Sequence, residues 1–287
     1  MSRIVYLNGE YLPEEQARVS VFDRGFLFAD GVYEVSSVLR GKLIDNQGHL
    51  VRLRRSLNEL AMAAPASDAE IESIQNSLIE RNNVDEGLVY LQVTRGEADR
   101  DFAYPEGVVQ PSLVMFTQQK NVIDSPQATS GISVIAVDDI RWRRRDIKSV
   151  GLLAPCMAKM QAKAAGADDA WLVEDGYVTE GSSNNAFIID AEGTLVTRQL
   201  GTEILAGITR KAVLKLAAEH RIRIEQRSFS IEEACAAREA FITSATTFVM
   251  PVVSIEGTRI GDGKPGKLTQ RLRELYIQTA LDSIGER

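Results

Sequence analysis

Apolar and polar positions recur at two periods along the chain, and the changes of period divide it into strands and helices. Ile4 to Leu7 and Glu10 to Leu12 flank Asn8-Gly9, a pair that supplies the positive φ angles of a type I′ turn, so the chain opens on a β-hairpin. Residues 22 to 34 place Gly25 and Gly31 around an aromatic cluster and read as a loop feeding a strand from Val32 to Leu39. Leu50, Leu53, Leu57 and Leu60 stand at helical spacing behind Asn46, predicting a helix whose polar face carries Arg52, Arg54, Arg55 and Glu59. Ser67 and Glu70 form a capping-box pair, so a second helix runs from about Asp68 to Arg81. Leu88 to Thr94 and Leu113 to Thr117 are β-branched and apolar enough for strands. The connection between them, Arg95 through Gln110, is far longer than the usual ~4 to 6 residues and reads as a functional lid carrying Arg95, Arg100, Asp101 and Tyr104.

From Gln118 to Gly131 the periodicity is lost and Gln, Asn, Pro, Ser and Gly collect, as in a linker. This divides the chain into a smaller N-terminal domain over 1–120, a linker over 121–131 and a larger domain over 132–287. Ile132 to Val137 resumes as a strand, and Leu152 to Ala165 has the Ala, Met and Leu content of a buried helix. Ala170 to Val173 and Val178 to Thr179 bracket Asp175-Gly176, a second hairpin signal. The run Glu180-Gly181-Ser182-Ser183-Asn184-Asn185 reads by itself as an exposed turn. Ile208 and Thr209 precede an apolar run and fall at a helix N-terminus, either an anion site built from free amides or an ordinary Thr-capped start. Hydroxyls cluster at Thr243 to Thr247 after the strand Ala240 to Ile242, and an amphipathic helix with Leu268, Leu272, Leu275 and Tyr276 follows. Mixed strands with fewer helices make this an α+β chain, and the P-loop pattern is absent.

Composition removes several classes of function. A net charge of −7 argues against nucleic acid or an anionic membrane as partner. No apolar stretch approaches the roughly 18 residues of a membrane span and the start turns polar at Asn8, so the expected address is the cytoplasm. The two cysteines, Cys156 and Cys235, are too few for a disulfide framework and read as buried thiols. With only His49 and His220, a His-rich metal site or a Ser-His-Asp hydrolase has little material, which leaves Lys, Tyr, Arg and carboxylates for chemistry. Lys148 is the candidate reacting group: it follows the run Arg141 to Arg145, and cations such as Arg144 and Arg145 disfavour a neighbouring ammonium. A solvated basic face gives the same pattern.

Six clusters then occur in one order: Asp23-Arg24-Gly25 with Asp30-Gly31-Val32-Tyr33-Glu34; His49 with Arg52; Gln92-Val93-Thr94-Arg95-Gly96; Asp139-Ile140-Arg141-Trp142 with Asp146-Ile147-Lys148-Ser149; Thr179-Glu180-Gly181-Ser182-Ser183; and Gly207-Ile208-Thr209-Arg210. Together they resemble the fold-type IV, pyridoxal-phosphate-dependent aminotransferases, and most of all the D-amino acid (D-alanine) transaminases. The resemblance implies a two-domain α+β fold with the cofactor, pyridoxal 5′-phosphate, at the domain interface. It implies that Lys148 bonds the cofactor and shuttles the proton, that Glu180 faces the pyridine nitrogen, and that Arg52, the Ile208 and Thr209 amides and the turn Ser244, Ala245, Thr246 hold the phosphate. Tyr33 and Arg100 match the carboxylate trap, Arg100 reaching across a homodimer. Two departures stand out: Phe102 occupies the place of a histidine in the familiar bacterial D-alanine transaminases, and Ala245 that of a threonine. The implied reaction is ping-pong transfer from a D-amino acid, D-alanine favoured, to a 2-oxo acid such as 2-oxoglutarate or pyruvate. Within the fold, a branched-chain L-amino acid or (R)-amine transaminase or an aminodeoxychorismate lyase is the alternative; outside it, a non-catalytic cofactor-binding protein.

Overall fold

The computed structural model describes residues 2–285, which form two compact units. The first holds residues up to Asn121 together with Ile147–Gly151; the second holds Val122–Asp146 and the chain from Leu152 onward. The sequence pattern suggests a single cut, whereas five residues from the middle of the chain belong to the first unit.

The first unit is a six-stranded antiparallel sheet with β1 (Ile4–Leu7), β2 (Glu10–Pro13), β3 (Gly31–Leu39), β4 (Lys42–Ile44), β5 (Gly87–Thr94) and β6 (Ser112–Gln119) in the order β2-β1-β6-β5-β3-β4. Asn8 and Gly9 take positive φ, 47° and 104°, and turn the opening hairpin as the dipeptide requires. Two expectations change at the residues that follow. Residues 24–28, expected as loop, form a short helix α1 (Arg24–Phe28), because Asp23 caps it by accepting from the Gly25 amide. Helices α2 (Asn46–Glu59) and α3 (Asp68–Arg81) complete the unit, but Arg52 of α2 lies on no exposed polar face: it is 8% exposed, drawn inward by a buried carboxylate. The Ser67–Glu70 capping box of α3 is made in full.

Val32, Leu91, Val93, Leu113 and Met115 bury against Leu50, Leu53, Leu57, Ile71 and Leu78, each such side chain contributing about 1.5–3 kcal/mol. Because side chains alternate along a strand, Val32, Glu34, Ser36 and Val38 are buried while Tyr33 and Val35 are half-exposed on the opposite face.

The second unit carries a nine-stranded mixed sheet. Its elements are α4 (Pro126–Ser130), β7 (Ile132–Asp138), α5 (Leu153–Ala164), β8 (Asp169–Glu174), β9 (Tyr177–Gly181), β10 (Asn185–Ile189), β11 (Leu195–Thr197), α6 (Ile208–Glu219), β12 (Ile224–Gln226), α7 (Ile231–Cys235), β13 (Glu239–Ser244), β14 (Phe248–Ile255), β15 (Thr258–Arg259) and α8 (Lys267–Ser283). The order is β12-β11-β10-β13-β14-β7-β8-β9, with β15 on β14, and the pairs β7–β8, β7–β14 and β11–β12 are parallel. Trp171, Ile188, Phe229, Ile242 and Met250 centre its core. Glu239 accepts from the Leu268 and Thr269 amides and so caps α8, while Arg273 donates to the carbonyls of Thr247, Val249, Val122 and Ile123.

Helix α5 is not the buried helix its composition suggests. Only Ala158 and Ala162 are buried, whereas Leu153, Met157 and Met160 face outward, because the small side chains are the ones packed on β8. Its Cys156 is exposed and Cys235 is half-buried, so neither is the buried thiol expected. Among the described residues no helix is long and apolar enough to cross a membrane.

Candidate active site

In the first unit the groups gather around α2 and the start of β3. Strand β4 covers β3 only from Ser37 to Leu39, which leaves the Gly31–Tyr33 edge open on that side. The lysine segment fills it: the Tyr33 amide donates to the Lys148 carbonyl and the Val150 amide to the Gly31 carbonyl, both at 3.0 Å, with Val32 bridged to Ser149. Ser56 Oγ accepts from the Lys148 amide at 3.3 Å. The main chain of Lys148 is therefore fixed from two sides, and its Nζ lies 4.1 Å from the centre of the Tyr33 ring. The amine forms no ion pair among the described residues.

His49, Arg52 and Ser56 recur along α2 as a buried polar stripe beside the leucines. Glu34 points at this stripe. Arg52 grips its carboxylate with Nε and Nη2, each at 2.7 Å, and His49 Nδ1 lies 2.8 Å from Oε2. Burial alone would raise the Glu34 carboxyl, but the Arg52 charge and the two hydrogen-bond partners hold it down at about 2. Burial lowers His49 from its ordinary value and keeps it neutral near pH 7. Arg100 and Phe102 lie on the loop between β5 and β6. The Arg100 guanidinium lies 5.2 Å from the Phe28 ring and 5.4 Å from the Phe102 ring, and neither of these ring contacts is with Tyr33.

In the second unit Glu180 lies in strand β9 and is 4% exposed, so the polar run expected as an open turn is instead strand and buried bend. Arg141 donates to its Oε1 at 2.6 Å, and Asn185 Nδ2 and the Leu205 amide donate to Oε2 at 2.9 and 3.1 Å. Burial pushes the Glu180 carboxyl up, and Arg141 pulls the other way without cancelling it. Arg141 is itself clamped by Asp139, whose Oδ2 also accepts from Thr179. The cations expected to act on Lys148 are occupied: Arg144 is paired with Asp146 and Arg145 with Glu174.

Asn185 also links Glu180 to α6, since a Cβ at Gly207 would collide with Asn185 Oδ1. Helix α6 starts at Ile208 after Gly207 with no side-chain cap, so the amides of Ile208 and Thr209 are left to an outside acceptor. Thr209 does not cap this helix start, whose N-cap is Gly207. Asn185 pairs in register with Thr243, at the end of β13 from which the Ser244–Thr247 turn leaves. There Ser244 Oγ lies 2.7 Å from Thr247 Oγ1 and accepts from the Thr246 amide at 3.3 Å, while Thr243 Oγ1 is buried without a partner.

Sequence reasoning assigns no role to Glu34, Asn185, Asp139 or Thr179. Two signals are present: the period of β3 turns residue 34 toward α2, and His49, Arg52 and Ser56 share one helical stripe. For Asn185 and Thr179 no local signal exists, because their partners come from distant strands.

The family model for amino-transferase class IV matches residues 31–255. The chain belongs to the class IV aminotransferases. This aminotransferase is 39% identical to a D-alanine aminotransferase of Bacillus licheniformis over 97% of its own length and 96% of the relative's. Among solved structures, the branched-chain amino acid aminotransferase of Escherichia coli superposes with a TM-score of 0.90 at 21% identity, covering 98% of this chain and 95% of that one. A second branched-chain amino acid aminotransferase, from T.th. and complexed with N-(5′-phosphopyridoxyl)-L-glutamate, gives 0.88 at 25% identity over 98% and 95%. The mixed fold with two sheets is that of the family, and its cofactor is pyridoxal 5′-phosphate. The donor set of the aminotransferase fits that cofactor. Among the described residues, a lysine amine outside any ion pair, a helix start with uncapped amides behind a forced glycine, and a buried hydroxyl without a partner are what an aldehyde and a phosphate monoester require.

Proposed function

We propose that this aminotransferase moves the amino group of a D-amino acid, D-alanine favoured, to a 2-oxo acid such as 2-oxoglutarate or pyruvate. The observation that carries the donor class is the likeness over nearly the whole length to a D-alanine aminotransferase at 39% identity, against 21–25% for the branched-chain structures. When bound, pyridoxal phosphate supplies an electron sink for the bond broken at the substrate Cα.

The protein's part is distributed as follows. Lys148 Nζ would hold the cofactor at its aldehyde carbon and, as a free amine, would carry the proton between the substrate Cα and that carbon. Its fixed main chain supports this role, since only the side chain has to move. Glu180, kept in place by Arg141 and Asn185, holds a proton on the pyridine nitrogen. The amides of Ile208 and Thr209 bind the phosphate with the Ser244-Ala245-Thr246 turn, where Ala245 contributes main chain only. Arg52 adds positive charge to that site while Glu34 keeps its guanidinium oriented. Tyr33 and Arg100 bind the substrate carboxylate, and Phe102 supplies a ring against Arg100 where a hydrogen-bond donor is missing. Amino acid and 2-oxo acid would occupy this one carboxylate site in turn.

The enzyme works as a cytoplasmic homodimer, a reading supported by exposed Phe22, Phe26, Phe102 and Val108 in the first unit. Its two domains follow the two compact units, with Ile147–Gly151 in the first. The test is spectroscopic: D-alanine should bleach the visible band of the lysine-bound cofactor within the mixing time of a stopped-flow trace. L-Alanine and L-leucine should leave it unchanged. Bleaching by L-leucine with none by D-alanine would replace this reading with the branched-chain one.

A further inference from the structure

Asp23 and Arg24 lie outside the chemistry described above, yet consecutive side chains of this pair engage both limbs of the loop between β5 and β6. We propose that they are positioning residues for Arg100, Asp23 clasping the base of the loop and Arg24 its tip. The inference rests on the reading of Arg100 as the carboxylate-binding group.

At the base, Asp23 Oδ2 accepts from Thr94 Oγ1 at 2.8 Å and from Ser112 Oγ at 2.7 Å. These hydroxyls belong to the last residue of β5 and the first of β6, the two feet of the loop, and all three side chains are buried. The feet close further at Gly96, whose φ of 97° and contact with the Gln110 carbonyl leave no room for a Cβ. The Arg24 amide donates to the Gly96 carbonyl at 2.9 Å.

At the tip, Arg24 Nη1 donates to the carbonyls of Asp101 at 2.7 Å and Ala103 at 3.3 Å, the residues on either side of Phe102. Its Nε is held by Asp30 at 2.8 Å, and the residue is 3% exposed. Asp30 also binds Arg95, which donates to the carbonyls of Leu60 and Ala61 and stacks 3.6 Å from the centre of the Tyr104 ring. One carboxylate thus anchors a cation at the foot of the loop and a second that reaches its tip. Arg100 itself lies against two aromatic rings, so the direction of its side chain is inherited from the main chain beside it, which Arg24 holds at residue 101.

The experiment uses the holoenzyme and the variants Arg24→Met, Arg100→Ala and their combination. Arg24→Met should raise KM for donor and acceptor about tenfold, with kcat within about twofold and the cofactor band unchanged. Adding it to Arg100→Ala should cost nothing more, since it acts through Arg100. Trypsin should also cut after Arg100 faster in Arg24→Met. A fully additive loss in the double variant overturns the proposal, as does an unchanged KM in Arg24→Met while Arg100→Ala is impaired. If Arg100→Ala itself leaves KM unchanged, the carboxylate assignment falls and the proposal with it, a pattern distinct from failure of the clasp alone. Tyr104→Ala is the second variant, since it leaves no buried charge unpaired and folds even where Arg24→Met does not. It should raise KM about two- to fivefold, and an unchanged KM with unchanged tryptic cleavage overturns the proposal.

Discussion

The proposed mechanism concentrates the chemistry in the Lys148 side chain, and the structure separates the main-chain contacts of this residue from its amine. Lys148→Ala keeps the hydrogen bonds to Tyr33 and Ser56, because both use main-chain atoms of residue 148. The variant is expected to fold and melt within a few degrees of the wild type, to lack the visible band of the lysine-bound cofactor, and to lose at least about a thousandfold in turnover. Near-normal turnover would remove the lysine from the mechanism. Phe102 is the other informative residue. Its ring is 80% exposed and packs on Phe28 at 5.5 Å, so replacing it disturbs no core. Phe102→His adds a donor beside Arg100, and a neutral hydrogen bond of about 0.5–1.5 kcal/mol lowers the D-alanine KM by a few-fold to about tenfold. Steady-state kinetics with D-alanine and with a primary amine lacking the carboxylate check this. A parallel fall in activity with both substrates would make position 102 a packing site.

On the scale of elements, α2 and β3 are joined by the Glu34, His49 and Arg52 group, and this gives the fold a defined response to acid. Glu34 is held at about 2 when folded against about 4.5 when unfolded, so its stabilisation is complete above about pH 4.5 and is lost as pH falls toward 2. The shift corresponds to an order-of-magnitude contribution of about 3 kcal/mol. His49, lowered by burial, adds a loss of the same sign below its unfolded value near 6.5. Glu34→Gln also leaves a buried arginine without its carboxylate, a change worth about 3–5 kcal/mol in comparable sites. The stability gap between wild type and variant, measured by denaturant unfolding, should be widest near pH 6 and narrow steadily toward pH 3. A gap independent of pH would show that Glu34 is not charged in the folded protein. These elements also show what could be read from the sequence. The Asn8-Gly9 turn, the Ser67–Glu70 box and the leucines of α2 are local patterns, and each forms as read. The inward turn of Arg52 depends on a carboxylate that another element offers, and the outward face of α5 follows from its own small side chains, Ala158 and Ala162, being those packed on β8. Glu180 reads as a turn residue for the same reason: its strand is buried by the sheet around it, which local polarity does not reveal.

At the level of the whole molecule, the exposed aromatic side chains of the first unit lead to an expected assembly. Light scattering of the purified enzyme should give twice the chain mass of 31.6 kDa, independent of dilution across the micromolar range. A monomer mass with full activity would require Arg100 to serve its own chain. The five residues Ile147–Gly151 bear on a different property, the order in which the polypeptide can acquire its structure. During synthesis the first 121 residues emerge with every helix and strand of their unit encoded, yet the open edge at Gly31–Tyr33 has no partner and Ile147 is missing from the core beside Leu53 and Leu57. That unit can be completed only after a further stretch of the chain has left the ribosome. A fragment ending at residue 121 should therefore unfold at lower denaturant than one in which a short linker appends 147–151, and should aggregate through the unpaired strand edge. Equal midpoints for the two fragments would show that the lysine segment is a passenger on β3. If the midpoints differ as expected, the residue proposed to bond the cofactor is also among the last needed to finish the sheet on which it sits.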